Sequence, residues 1–183
     1  MRFRSAVLCL LAVLTSSAAC AAGQPGKEPT VSVQQVIVVK STAFAEGDSL
    51  DSQFTCDGAG KVPPLTWSGV PAGAKALALV VDDPDAPRGT FTHWVVLDMP
   101  PGTAALAAHG LPRGAVQSKN SGGGTGYYPP CPPSGIHRYR FSVYALAKPT
   151  ELAEGTALDR ALRAVESNAM AQGRLTGVYQ RKQ

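Results

Sequence analysis

The chain has 183 residues, of which 17 are basic and 13 acidic, with a formal net charge of +4 and 44% apolar residues. Without Arg2 and Arg4 the balance is 15 to 13. No basic run or aromatic-interleaved Arg/Lys stripe remains, so a nucleic-acid partner is not expected.

The N-terminus sets the compartment. Arg2 and Arg4, the apolar stretch from Ala6 to Leu14 and the small residues from Thr15 to Ala22 read as a secretory signal peptide over residues 1–22, too short to be a membrane span. Two processing readings stay open. Ser17-Ala18-Ala19-Cys20 is a degenerate lipoprotein box, with Ser17 where leucine is usual, and it would put a lipid anchor on Cys20. Cleavage after Ala21 or Ala22 by the general signal peptidase is the alternative. The expected product is an exported periplasmic protein, soluble or lipid-anchored to the envelope. Residues 23–36 form a flexible spacer, Gly- and Pro-bearing at its start, that runs into a first strand, and residues 37–183 form one domain.

The domain reads as mainly β. The valine-rich stretch from Val31 to Val39 has strand character. Gly69 to Gly73 is a turn, and Ala76 to Val81 is a near-continuous apolar run expected to form a buried strand. Pro84 and Pro87 cannot donate to a ladder and end that strand. A second apolar run extends from His93 to Met99. Residues 110–134 make a long Gly- and Pro-rich loop of the kind that is usually functional or disordered. Tyr139, Phe141, Val143 and Ala145 then alternate with Arg138, Arg140, Ser142 and Tyr144, which predicts a half-buried strand with a polar face. One helix is expected, with Thr156 as its cap, Leu158, Leu162, Val165 and Ala169 on one face, and an Asp159–Arg163 pair on another.

Of the 4 cysteines, Cys9 and Cys20 belong to the leader, while Cys56 and Cys131 lie in the domain. In an oxidising compartment these two form one disulfide or remain two buried thiols, and the sequence leaves both open. No Cys-x-x-Cys or His-x-x-x-His spacing exists, so no metal is expected, and no cofactor motif is present. The candidate chemistry gathers at proline-stiffened turns. Asp83, Asp85 and His93 surround Asp83-Pro84-Asp85-Ala86-Pro87, and His137 follows Pro132-Pro133-Ser134-Gly135. A carboxylate near an imidazole fixes its tautomer. Asp83 reads as a pocket residue, and Asp85 as a turn residue bonding its own backbone. The glycine-rich run Ser121 to Gly126 lacks the Lys and the following helix of a phosphate loop. With no Gly-x-Ser-x-Gly nucleophile elbow, acyl transfer has no support and a non-enzymatic role is expected.

DDPDAP from Asp82, THW from Thr92 and CPPSGIHRYRFSVYAL from Cys131 resemble the phosphatidylethanolamine-binding protein family, in its bacterial Raf-kinase-inhibitor-like branch. STAFAEG from Ser41, FTCDG from Phe54, PPLTWSGVP from Pro63 and LTGVYQR from Leu175 fit as well, so the resemblance runs from about Ile37 to Lys182. It implies a large antiparallel sheet packed on a smaller β element with a C-terminal helix. It also implies a shallow cavity for phosphate- or carboxylate-type anions, phospholipid head groups included. Asp83, His93 and His137 match the cavity lining, and Tyr139 with Pro130, Cys131 and Pro132 matches its wall. Protonated imidazoles would bind a phosphate through charge-assisted hydrogen bonds, and Asp83 would repel it unless paired. Family resemblance also raises a protein partner, such as a protease or kinase to be inhibited, and a homodimer. Tyr128 and Pro129 stand where relatives usually carry glycines, and Asn168 where they often carry histidine. Bulk at Tyr128 and the missing N–H of Pro129 would weaken the anion site or change its ligand.

Overall fold

In a computed structural model of the chain, residues 34–35, 37–106 and 110–181 are described. The signal peptide and Cys20 lie outside them. The larger sheet has 6 strands in the order β1 (Gln34–Gln35), β9 (Ala169–Tyr179), β8 (His137–Leu146), β4 (Ala76–Asp83), β5 (Phe91–Met99) and β7 (Val116–Gln117). The smaller sheet has 3 strands, β2 (Val38–Lys40), β3 (Leu65–Ser68) and β6 (Ala105–Leu106). Pairing is antiparallel throughout except for β1 beside β9. Among the described residues one α-helix, α1 (Leu158–Asn168), precedes β9.

The apolar runs are explained by what covers each face of the larger sheet. From β4, Leu77, Leu79 and Val81 pack with Phe141 and Val143 of β8 against Val39, Leu65, Trp67 and Leu106 of the smaller sheet. The alternate residues Ala76, Ala78 and Val80 pack with Val95, Leu97 and Leu146 against Ala161 and Val165 of α1. A central strand buried on both faces has no polar side, so it reads as a continuous hydrophobic run. Each large apolar side chain fully withdrawn from water contributes about 1.5–3 kcal/mol. The same double cover corrects the polar face expected for β8. Ser142 is buried and Tyr144 is half-buried among the residues packed under α1. Arg138 and Arg140, nearer the uncovered end, keep the polar character.

Three boundaries differ from expectation. Among the described residues the Val31–Val39 stretch is two short strands in different sheets, not one. The chain crosses from β1 to β2 directly over Gly173, with the Ile37 N–H donating to the Gln172 carbonyl at 3.2 Å. A Cβ on Gly173 would overlap the Ile37 carbonyl, so this crossing requires glycine. Thr156 does not cap the helix. Its N–H donates to Ala153 at 3.2 Å and its carbonyl accepts from Lys119 at 2.9 Å, which holds it in the preceding turn. Ala157 takes the capping position without a side-chain bond. Ala169 leaves the helix and begins β9, a strand whose Gly- and Ala-rich sequence gives little period-two signal. The predicted Asp159–Arg163 pair is present at 2.7 Å.

One end of the larger sheet assembles the polar residues. The C-terminus of β4 and the N-termini of β5 and β8 meet there, with Asp83 opposite Phe91 and Asp82 opposite Arg140 in register.

Candidate functional site

Pro84 stops β4 one residue after Asp83, and the Asp83 carboxylate serves both neighbours of that stop. Its Oδ1 accepts the Asp85 N–H at 2.8 Å, and its Oδ2 lies 2.7 Å from His137 Nδ1. Both side chains are buried. The expected division of roles between the two aspartates is therefore corrected. Asp83 closes the proline turn as well as facing the pocket. Asp85 instead receives Arg138 through Nε at 2.9 Å, Nη2 at 2.6 Å and the backbone N–H at 2.9 Å. That guanidinium holds the Asp85 carboxyl well below the usual carboxylate range. Its neighbour Arg140 is clamped in the same two-pronged way by Asp82, at 2.6 and 2.7 Å. These forks lock the turn to β8 and commit both arginines.

His93 is 4% exposed and docks on the long loop. Its Nδ1 lies 2.7 Å from the Tyr128 carbonyl, while the Tyr128 N–H donates to the His93 carbonyl at 2.9 Å. A carbonyl only accepts, so Nδ1 of His93 carries the proton and Nε2 is the ring nitrogen left to a ligand. The same logic applies to His137, whose Nδ1–H faces the Asp83 carboxylate. Burial pushes the His93 pKa down from its ordinary value, opposed by the Tyr128 carbonyl and by the charge of Asp83. The shift favours the neutral imidazole of His93, so the charged form that an anion would engage is disfavoured by burial. Asp83 does pair with a histidine, the condition under which an anion is not repelled.

Tyr139 packs edge-on to His93 with ring centroids 5.3 Å apart. Its hydroxyl is the one buried side-chain polar atom among the described residues that has no hydrogen-bond partner. Burial first, and then the charge of Asp83, raise its pKa well above the usual phenol value.

These groups border a cavity of about 530 Å³. Asp83, His93, His137, Tyr139, Cys131 and Pro132 line it, and so does Pro87, which the sequence offered only as a turn residue. Pro130, expected in the wall, does not. Pro130 is buried behind the wall, its carbonyl accepting the Cys56 N–H at 3.0 Å. Cys56 and Cys131 are joined as a disulfide with Cα atoms 5.3 Å apart, so one cavity-wall residue is covalently tied to the 52–58 segment. The cavity persists beside Tyr128, which forms part of the lining at 43% exposure. Pro129 turns instead toward Gly60. Sequence reasoning missed Ala86, Arg88, Phe91 and Pro133, which also line the cavity. Arg88 and Phe91 fall between Pro87 and His93, and a β4–β5 hairpin closed near Asp83 necessarily brings them to the same mouth. Phe91 stacks near His93 and Tyr128, at centroid distances of 4.8 and 5.3 Å. The Ser121–Gly126 run is not part of the lining. It folds on Asn120, whose side chain accepts from Gly122 at 2.9 Å and donates to Gly126 at 3.0 Å. Among the described residues no group of three or more His, Cys, Asp and Glu side chains is placed to hold a metal ion. No helix among them is long and apolar enough to cross a membrane.

Comparison with known proteins agrees with this architecture. Residues 40–180 match the family described as phosphatidylethanolamine-binding protein. A UPF0098 protein of Methanothermobacter thermautotrophicus is 44% identical over 148 residues, covering 78% of this chain and 98% of the relative. A Mycobacterium tuberculosis protein described as "Putative lipoprotein LppC" is 44% identical over 146 residues, 79% of this chain and 72% of the relative. Among solved structures, E. coli YbcL, described as a member of the mammalian PEBP family, superposes with a TM-score of 0.76 at 32% identity, covering 80% of this chain and 99% of YbcL. A PEBP homologue from Chlamydia trachomatis, CT736, gives 0.75 at 36% identity, covering 81% of this chain and 100% of that one. The chain belongs to the phosphatidylethanolamine-binding protein family.

Proposed function

We propose that the cavity at the end of the larger sheet binds a small phosphate- or carboxylate-type anion, or a phospholipid head group, without turning it over. The observation that carries this reading is the disposition of the hydrogen-bonding groups. His93 and His137 both commit Nδ1 to the protein, Asp83 is paired, and the Tyr139 hydroxyl is a buried donor lacking a protein acceptor. Native structures rarely leave such a group unsatisfied without a functional reason. A ligand oxygen would satisfy Tyr139, and each free Nε2 would donate to it once protonated. With an ammonium group as well, as in phosphoethanolamine, the ligand would use the carboxylate edge too. Asp83, His93 and His137 resemble an acid–base set, but among the described residues the lining includes no serine, threonine or free cysteine to act as nucleophile. The protein is proposed to act in the cell envelope, exported by the 1–22 leader, either soluble or anchored through Cys20. The name of the mycobacterial relative supports the anchored form.

The test is a titration with phosphate and with phosphoethanolamine, followed by NMR of the imidazole protons at pH 6 and pH 8. Unaltered protein is compared with Asp83→Ala/His137→Ala. Saturable shifts of His93 and His137, stronger at pH 6 and absent in the double variant, are expected. Because burial disfavours the His93 imidazolium, acidic pH and a bound anion both favour its formation. Phosphate release that disappears in His137→Ala would replace the binding role by an enzymatic one. Flat titrations of folded protein would overturn the anion reading. They would favour a protein partner contacting the exposed apolar residues Ile136, at 63% exposure, and Tyr128, at 43%.

A further inference from the structure

The electrostatics of the cavity leave one cation uncommitted. Arg138 and Arg140, the arginines that flank the site on β8, are each forked onto an aspartate, at 2.6–2.9 Å. Arg88 lines the cavity from the β4–β5 turn, is exposed, and has no carboxylate partner among the described residues. The other charged or titratable side chains on the lining are Asp83, His93, Tyr128, His137 and Tyr139. Asp83 and His137 answer each other at 2.7 Å, and Tyr139 is neutral. Burial disfavours the charged form of His93. Arg88 is therefore the permanent positive charge available to a ligand, since a guanidinium does not deprotonate in this range.

Resting on the anion-site reading above, we propose that Arg88 is the anion-selecting residue of the cavity and that it tunes the site toward phosphomonoesters over phosphodiesters. A monoester carries about −1.5 to −2 charge at pH 7 and three acceptor oxygens, which suit a forked guanidinium. A diester carries one charge and has only two unesterified oxygens. The two imidazoles also matter. A neutral Nε2 is an acceptor, and it repels a fully deprotonated phosphate oxygen. A monoester, whose second ionisation lies near pH 6, is mostly a dianion at pH 7.5 but can take up one proton from solvent on binding, share it with Nε2 and present its remaining oxygens and charge to Arg88. A diester has no second ionisation through which to do so. The apolar lining from Phe91, Tyr128 and Pro132 then leaves room for the organic part of the ester.

The experiment uses a matched pair of probes, phosphoethanolamine as monoester and glycerophosphoethanolamine as diester. Both are titrated at pH 7.5 into the unaltered protein, Arg88→Gln and Arg88→Lys. Thermal unfolding midpoints of the variants should equal that of the unaltered protein, because Arg88 is exposed and unpaired. Arg88→Gln is expected to weaken the monoester by roughly tenfold or more, the scale of one lost charge-assisted contact. The diester should change by less than about twofold, and Arg88→Lys should restore part of the monoester affinity through its charge without the fork. Equal losses for both probes, or no loss for either, overturn the proposal while leaving an anion site in place. Failure of the unaltered protein to bind either probe overturns the anion reading, and the role of Arg88 with it.

Discussion

Tyr139 holds a hydroxyl that is fully buried and has no hydrogen-bond partner among the described residues. Leaving such a group unsatisfied costs about 1–3 kcal/mol. The residue is otherwise a good core side chain, packed between His93 and the sheet. Tyr139→Phe keeps the ring and removes the unsatisfied atom. It should leave unfolding stability unchanged or raise it by up to about 1 kcal/mol, while weakening phosphate binding several-fold. Chemical denaturation and a phosphate titration on the same samples read both effects. A variant that loses more than about 1 kcal/mol would mean that the hydroxyl is bonded in the folded protein. At this scale the sequence was informative about which residues meet and less so about what they do. Asp83, His93 and His137 announce themselves through proline-flanked motifs. The direction of the His93 shift was not legible, because burial in the folded protein outweighs both the Tyr128 carbonyl, 35 residues along the chain, and the nearby carboxylate. Asp85 was misjudged for a similar reason, since its partner Arg138 is 53 residues away.

At the scale of elements, legibility followed local period. Strands β4, β5 and β8 were readable because their side chains repeat the burial of the faces they serve. Strand β9 was not, because Gly173 and Gly177 stand where neighbouring segments press on the sheet and remove the apolar alternation. The helix was found but placed one residue early. Thr156 has the right chemistry for a cap, yet its backbone is already used by the Lys119 and Ala153 bonds. Ala157 occupies the capping position with an extended backbone and an exposed side chain, and has no oxygen to offer. Ala157→Ser should therefore add the missing bond to an orphan N–H of the first turn. The expected gain is about 0.5–1 kcal/mol, read as a higher urea midpoint at constant m-value. A lower midpoint would show that the first turn of α1 is held in a geometry that a side-chain cap cannot reach.

Across the whole molecule, the larger sheet carries the cavity residues on strand ends, while the loop side of the cavity is fastened by the Cys56–Cys131 disulfide, between residues 75 apart in sequence. Cross-linking a loop of that length restricts the unfolded chain and is worth about 4 kcal/mol on the chain-entropy account. Cys56→Ser/Cys131→Ser should lose a comparable amount of stability in guanidinium unfolding. Equal midpoints for the variant and the oxidised protein would show that the loop is held without the bond. The tie has a further consequence for how the protein is prepared and compared. A chain made where thiols stay reduced would carry every residue of the cavity and lack the bond that fixes one of its walls. Two batches of identical sequence and identical mass to within two hydrogens would then give different affinities, and the thiol titre of a sample becomes part of the description of its binding site.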